Sequence, residues 1–333
     1  MIALDSGPGE RLRAVAWLLA FAGSVTCGDA GEAAPSALEI AVEVGRLGQD
    51  DLWPDFDPAM VPLAIYDGQR TVLLGHPSPP PDFARDSAIG GWSQEGRHAD
   101  VVENATARIG GVWTVTLIAT DTAPIDRMAV RVVHEAFHVM QRERHPDWLV
   151  DDDAFEDVRV RDVDQVTLRR LESAALSRAL SARTKTQAAC WAKAAIAERR
   201  ARHAVSPRVG ALERRVELNE GLANYVEQRA SGSERSSFSL DVGFPPDAIR
   251  ERAGATGVVL AMLLDRLRPD WREQLEHRTT ALDALLTEAI GTADACMFRD
   301  GERAAAQKNA ARDIRALDDA PNPQPAASTG NVP

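Results

Sequence analysis

Two histidines four positions apart are the residues in this sequence best suited to chemistry. His134 is followed directly by Glu135, and His138 completes the pattern His-Glu-x-x-His. Positions i and i+4 of an α-helix lie on one face, so both imidazoles can point the same way and reach one zinc ion. The intervening carboxylate then lies beside the open coordination position and can take a proton from a water that the metal has acidified. This pattern predicts metal-assisted hydrolysis with Glu135 as the general base.

The pattern also has an ordinary explanation, an amphipathic surface helix with two solvated histidines and an unrelated glutamate. A catalytic zinc needs a third protein ligand, so the presence of a suitable third residue distinguishes a zinc site from an ordinary helix. The cysteines Cys27, Cys190 and Cys296 contain no Cys-x-x-Cys pair, so His, Asp or Glu must hold any metal. A single disulfide between Cys190 and Cys296 is compatible with the sequence.

The segment ELNEGLANYVEQ, residues 217–228, offers a third ligand. Glu220 stands there among apolar residues at helical spacing, and a carboxylate is unfavourable to bury in such surroundings unless it is paired or bound to a metal. Gly221 has no side chain, which allows close helix approach at some loss of helix propensity. The alternative is that Glu220 is solvated and that Gly221 marks a kink.

Together, HEAFH (134–138) and LNEGLANYVE (218–227) resemble the motifs of the gluzincin zinc metallopeptidases, a group that includes thermolysin and the zinc aminopeptidases. The second segment is similar to the Asn-Glu-Gly-Phe-Ala-Ser-Tyr segment that carries the third zinc ligand in the aminopeptidases. The resemblance implies that His134, His138 and Glu220 bind Zn²⁺ and that Glu135 is the catalytic base. It also implies a zincin-like fold around them.

The resemblance is close only over these two motifs, although it extends structurally over about residues 111–230. The gap from His138 to Glu220 is much longer than in the family, and added helices between them would account for it. No Gly-x-Met-Glu-Asn segment is present. Aminopeptidase activity is therefore not implied.

Several other residues compete for roles at such a site. Glu172 could hydrogen-bond a zinc-bound histidine or serve as third ligand at a shorter gap, although a solvated helix glutamate is the simpler interpretation. Glu217, one turn before Glu220, is the other nearby candidate for the third ligand. Tyr225 is expected in the core, and His203 and His277 are expected to be exposed helix histidines. No oxyanion donor is assigned.

The elements that must position these residues change along the chain. Residues 37–122 predict short strands separated by turns. The predicted strands are LEIAVEV (38–44), VPLAIYD (61–67), RTVLLG (70–75) and GVWTVTLIAT (111–120). The last is the clearest, and in the gluzincins a strand before the zinc helix forms the cleft edge and pairs with substrate. From Pro124 onward the spacing predicts helices, ending at His145–Pro146 and then covering 163–182, 186–204, 211–231, 247–268 and 270–290.

The fold class predicted is α+β and zincin-like, with a β-rich N-terminal part followed by a mainly helical metal-binding part. Residues 1–33 are interpreted as a leader, because Arg11 and Arg13 precede the apolar run Ala14–Val25. The β-rich part is assigned to 34–122, the helical catalytic part to 123–300 and a disordered tail to 301–333. A cleaved signal would place the protein in the periplasm, the envelope or the medium; a buried helix there would leave it in the cytoplasm.

The charge balance limits the partners. The formal net charge is −12 and the pI is about 5.1, which argues against nucleic acid, since phosphate binding relies on clustered Lys and Arg. No membrane span is expected beyond the leader. The expected partner is a peptide or protein substrate, and the oligomeric state is left open. The alternatives are a non-catalytic zinc-binding protein on the same scaffold and a metallohydrolase of a non-peptide amide or ester.

Overall fold

The computed structural model describes residues 36–119, 123–150, 152–155, 158, 160–232 and 240–319. The leader predicted at 1–33 and residues 320–333 of the predicted tail lie outside these ranges. The described residues form one six-stranded mixed sheet and ten α-helices, so the α+β class is confirmed. Within the same residues, no helix is long and apolar enough to cross a bilayer.

The strands all precede the long helix that carries the two histidines. They are β1 Leu63–Tyr66, β2 Arg70–Leu74, β3 Ala84–Asp86, β4 Gly91–Glu95, β5 Ala105–Ile109 and β6 Val112–Ile118. The helices are α1 Ala37–Leu47, α2 Ile125–Arg144, α3 Val163–Ser181, α4 Lys185–Val205, α5 Pro207–Val216, α6 Leu222–Ala230, α7 Ile249–Leu267, α8 Trp271–His277, α9 Leu282–Ile290 and α10 Asp300–Asp318. A π-helical turn, Glu217–Gly221, joins α5 to α6.

The sheet order is β3-β4-β2-β1-β6-β5, and only β1 and β6 run parallel. Val115 and Leu117 of β6 are buried in the main core together with α1 and α2. The opposite face covers a smaller cluster that contains Leu73 and Ile109. Because β6 pairs on both sides, it is internal, and β5 is the edge strand next to it. The 111–120 strand is therefore an internal sheet strand, and the pairing with an extended substrate that the resemblance implied for it is not open to β6.

The segment 38–44, predicted as a strand, is the middle of helix α1. Ser36 caps this helix: its hydroxyl accepts from the backbone N–H of Glu39, whose carboxylate in turn accepts from the backbone N–H of Ser36. The buried residues recur at spacings of three and four: Ala37, Ile40, Val44 and Leu47. The apolar and polar residues of this segment fit both a strand and a helix, and the capping box at Ser36 favours the helix.

The helical part largely follows the predicted boundaries. Helices α3, α4 and α5 fill the long interval between His138 and Glu220. The predicted helix 211–231 is a longer unit, α5 to α6, interrupted by the π-helical turn. The predicted helix 270–290 is divided into α8 and α9.

Residues 300–318 form helix α10, so the disordered tail predicted from residue 301 is wrong over this stretch. Ala310 and Ile314 are buried in a cluster shared with α3 and α5. Arg170 of α3 pairs with Asp313 at 2.6 Å. The Pro-rich composition that suggested disorder belongs to the residues beyond 319, whereas 300–318 is rich in helix-forming Ala and Arg.

A disulfide joins Cys190 of α4 to Cys296, just before α10, with a Cα–Cα distance of 5.0 Å. The backbone N–H of Cys296 also donates to the carbonyl of Cys190 at 3.1 Å. The bond closes a loop of 106 residues, a span over which a cross-link strongly restricts the unfolded chain.

Candidate metal centre

Helix α2 holds the His-Glu-x-x-His residues against the core. Its inner face packs Phe137 edge-on against Trp53 and Phe56, with ring centroids 5.3 and 5.4 Å away. The neighbouring residues Val132, Val133 and Ala136 are also buried. This packing fixes the rotation of the helix and therefore the direction in which its polar face points.

The structure brings His134, His138 and Glu220 together from two segments far apart in sequence. The Nε2 atoms of the two histidines are 3.1 Å apart, and Nε2 of His138 lies 3.8 Å from Oε2 of Glu220. One ligand atom from each residue lies within 4.8 Å of the others, so the group could hold a metal ion. Tetrahedral zinc with bonds of about 2.0–2.1 Å would place its ligand atoms about 3.3 Å apart, close to the separations of 3.1 and 3.8 Å.

The π-helical turn aims Glu220 at the histidines and its neighbour Glu217 away from them. Glu217 is fully buried and pairs with Arg199 at 2.5 Å, so the rival ligand belongs to a different cluster. Glu220 instead lines the cleft, where Arg250 donates to its Oε1 at 3.3 Å. A π-helical turn inserts one residue into a helix and re-aims the side chains around it.

Gly221 allows helix α7 to cross the π-helical turn at backbone contact. A Cβ at Gly221 would lie 2.7 Å from Cα of Gly257, and a Cβ at Gly257 would lie 2.8 Å from the carbonyl oxygen of Glu217. Real Cβ atoms do not approach this closely. The expected close helix approach at Gly221 is confirmed, and it positions the segment that carries Glu220.

Gln141 fixes the orientation of His138. Its amide nitrogen donates to the carbonyls of Leu218 and Asn219 at 2.9 and 3.0 Å, so its oxygen must be the atom that faces the histidine. That oxygen lies 2.8 Å from Nδ1 of His138 and can only accept, so Nδ1 carries the proton. The lone pair on Nε2 is then directed toward His134 and Glu220. Gln141 also ties α2 to the π-helical turn.

Glu227 is a site residue that sequence reasoning missed. Its Oε2 lies 2.8 Å from Nδ1 of His134, close enough for a hydrogen bond, although the ring N–H is not aligned on the oxygen. A carboxylate at this position orients a metal-binding histidine. The available signal was spacing, because Glu227 follows Glu220 by seven residues and so falls on the same helical face two turns later.

Glu172 was considered for that role, with a solvated helix glutamate as the simpler interpretation, and neither holds. It is fully buried and pairs with Arg199, Arg202 and Arg252. Burial by itself would raise the pKa of Glu172, but the three guanidinium groups outweigh it and lower the pKa to about 2. Glu172 therefore belongs to a buried ionic cluster in the helical part, together with Glu217.

The other candidates also fall outside the cleft. Tyr225 is buried, as predicted, and its hydroxyl donates to Asp265 at 2.9 Å. His203 was expected to be exposed, but it is buried against Glu213, with Nε2 and Oε2 2.9 Å apart. His277 is exposed at the end of α8.

Burial shifts the acid–base properties of the site. It lowers the pKa of His138 to about 3, with a further contribution from the adjacent His134, so the imidazole is neutral at pH 7. Burial also raises the pKa of Glu135. A neutral imidazole is the form that binds metal, and a carboxylate with a raised pKa is a stronger base.

The three ligand candidates and Glu135 line one cleft of about 710 Å³. Ala105 and Thr106 of edge strand β5 form part of its wall. The remaining lining residues are Glu103, Arg131, Arg142, Leu149, Val150, Asp153, Asn219 and Arg250. The cleft thus combines a candidate metal centre, a buried carboxylate and an edge strand.

Comparisons of the chain with models of known protein families, with curated proteins and with solved structures found no match. The functional assignment therefore depends on the residues of the cleft and their geometry.

Proposed function

We propose that this protein is a zinc-dependent hydrolase, specifically a metallopeptidase with a zincin-like, gluzincin-type site. The observation that carries the proposal is the meeting of His134, His138 and Glu220 beside Glu135. Two histidines and a glutamate are a donor set of catalytic zinc sites, which keep a coordination position open for water or substrate.

The donor geometry fits zinc. The Nε2 atoms of both histidines face the same point as the Glu220 carboxylate, and the Nδ1 atoms face Glu227 and Gln141 on the far side. A zinc ion bound there would supply a Lewis acid that polarises a carbonyl and acidifies water.

Glu135 would carry the proton transfers. Its carboxylate would take a proton from the attacking water and then deliver it to the nitrogen of the leaving amine as the C–N bond breaks. Its burial favours this role, because the raised pKa makes the carboxylate a better proton acceptor. The nearby charges act in opposite directions on this pKa: His134 and Arg131 lower it and Glu220 and Glu227 raise it, so burial is the cause of the net increase.

The shape of the cleft favours a peptide as the substrate. Within the described residues edge strand β5 pairs with a neighbour on one side only, and Ala105 and Thr106 of this strand lie in the cleft wall. An extended peptide can add to such an edge through backbone hydrogen bonds. The disulfide between Cys190 and Cys296 supports export, since such bonds persist in oxidising compartments.

One observation favours the alternatives of a zinc-binding protein without activity or a hydrolase of another amide or ester. Among the described residues that line the cleft, none is a tyrosine, and the only histidines are the two candidate ligands. A peptidase needs a donor for the oxyanion, so this role would fall to an arginine of the cleft.

The test combines zinc content with turnover of a quenched peptide library. The wild type should hold about one zinc per chain and lose turnover with a chelator. Glu135→Gln should keep its zinc and lose about 10²- to 10⁴-fold in kcat, whereas Glu220→Ala should lose zinc. A zinc-loaded wild type that cleaves no peptide would refute the peptidase; turnover of esters alone would indicate the other hydrolase.

A further inference from the structure

Helix α2 carries arginines on both sides of the metal-binding face. Arg131, Glu135, His138 and Arg142 recur at spacings of four, three and four, and all four line the cleft. Such spacing places them on one stripe of the helix. The reacting groups are therefore flanked by a positive charge at each end.

Arg142 is held in a fixed position. Its Nε donates to the hydroxyl of Thr106 on β5 at 3.1 Å, and its guanidinium lies over the ring of Trp113 at 4.7 Å. The side chain is half-buried, and no carboxylate of the described residues pairs with it. Its two terminal nitrogens form no hydrogen bond with the described part of the chain, and the residue lines the cleft.

A guanidinium in this state is suited to one kind of ligand. Its terminal nitrogens form a planar fork that matches the two oxygens of a carboxylate. Because the guanidinium is already partly buried and stacked on Trp113, binding such a ligand costs less side-chain entropy and less desolvation free energy. An arginine already paired with an acid, such as Arg250 with Glu220, is less able to bind a carboxylate of a ligand.

The position of Arg142 on α2 indicates how far from the scissile bond its ligand would lie. It follows His138 by one helical turn, which is a rise of about 6 Å along the axis. An extended peptide advances about 3.3 Å per residue, so this distance corresponds to about two residues. Thr106, which Arg142 contacts, belongs to the edge strand beside which the peptide would lie.

We propose that Arg142 binds a carboxylate of the substrate within about two residues of the scissile bond, and that the protein therefore selects peptides that present a carboxylate there. The carboxylate is either an acidic side chain or the C-terminus. This inference rests on the proposed peptidase function and adds the class of substrate to it.

The test compares fluorogenic peptides, amidated at the C-terminus, that carry Glu or Gln at each position around the scissile bond. The wild type should prefer Glu at one position by about 10- to 100-fold in kcat/KM. Arg142→Met should remove this preference and leave the Gln peptide within about threefold. A third peptide, with a free C-terminus and no acidic side chain, tells whether the C-terminal carboxylate is the one bound.

The matched control is Arg85→Met. Arg85 also lies over a tryptophan, Trp92, at 5.5 Å, but it is on β3 at the opposite edge of the sheet. This variant changes the net charge equally and should keep the full preference for Glu. Zinc content and Tm of both variants verify that each one folds.

Two results would overturn the inference: a wild type that cleaves Glu and Gln peptides equally at every position and also gains nothing from a free C-terminus, or an Arg142→Met variant that slows all the peptides equally. The second pattern would assign Arg142 to the oxyanion or to structure. If the zinc-loaded wild type cleaves no peptide, the proposed peptidase function is refuted, but the carboxylate site of Arg142 is not. Calorimetric binding of the Glu and Gln peptides to zinc-loaded Glu135→Gln, with and without Arg142→Met, then still decides the carboxylate site.

Discussion

The crossing of Gly221 and Gly257 predicts that a single methyl group will disturb the candidate metal centre. In Gly221→Ala the new Cβ would lie 2.7 Å from Cα of Gly257 and 3.2 Å from the carbonyl oxygen of Gly254. Both are backbone atoms, so no side-chain rotation can relieve the contact. Ordinary contact begins at 3.4 Å, and the π-helical turn and α7 must therefore separate by about 0.7 Å.

The expected magnitudes differ for stability and for metal binding. Overpacking of this kind destabilises by about 1–3 kcal/mol, and the gain in helix propensity from Gly to Ala offsets about 1 kcal/mol. The net loss of unfolding free energy should be about 0–2 kcal/mol. Displacement of the turn moves Glu220 relative to the histidines, and we expect zinc affinity to fall by about 10- to 100-fold.

The assay is a zinc titration against a competing chelator, together with urea unfolding of the metal-free protein. Gly301→Ala is the matched control: it lies in the first turn of α10, and a Cβ there would meet nothing within 4 Å. This control should leave zinc affinity unchanged and stabilise by about 0.4–1 kcal/mol. If Gly221→Ala binds zinc within about threefold of the wild type, the packing of this crossing does not position Glu220.

Three further outcomes follow from other contacts. Gln141→Leu removes the acceptor at Nδ1 of His138 and should weaken zinc binding by about 10-fold or more in the same titration; an unchanged affinity would contradict the assigned tautomer. Replacing Cys190 and Cys296 by Ala should lower unfolding free energy by about 4–5 kcal/mol in urea, while a loss below about 1 kcal/mol would show that the bond constrains little. The pKa of Glu172 is lowered to about 2 in the folded protein, so the unfolded chain takes up the proton first and stability falls as the pH decreases from about 5 to 2. This contribution of Glu172 should be absent from the pH dependence of Glu172→Gln.

The sequence predicted the long helices and the three metal-ligand candidates. Helical periodicity and the i, i+4 rule are local properties, so α2 could be placed within one or two residues of its observed ends. Proximity of Glu220 to the histidines was inferred from motif resemblance, and the structure places these side chains together. The same local patterns were ambiguous for α1, where a short alternation fits both a strand and a helix.

What the sequence by itself determined is the chemistry available: two imidazoles on one helical face, a carboxylate between them and a second carboxylate beside a glycine. Only the tertiary structure decided which groups orient and surround them. Gln141, Glu227 and Arg142 each contact a segment distant along the chain, and such contacts also explain why Glu172 is neither in the cleft nor solvated. Side-chain spacing along one element reveals which residues share a face, but the partner that this face meets depends on how the elements pack.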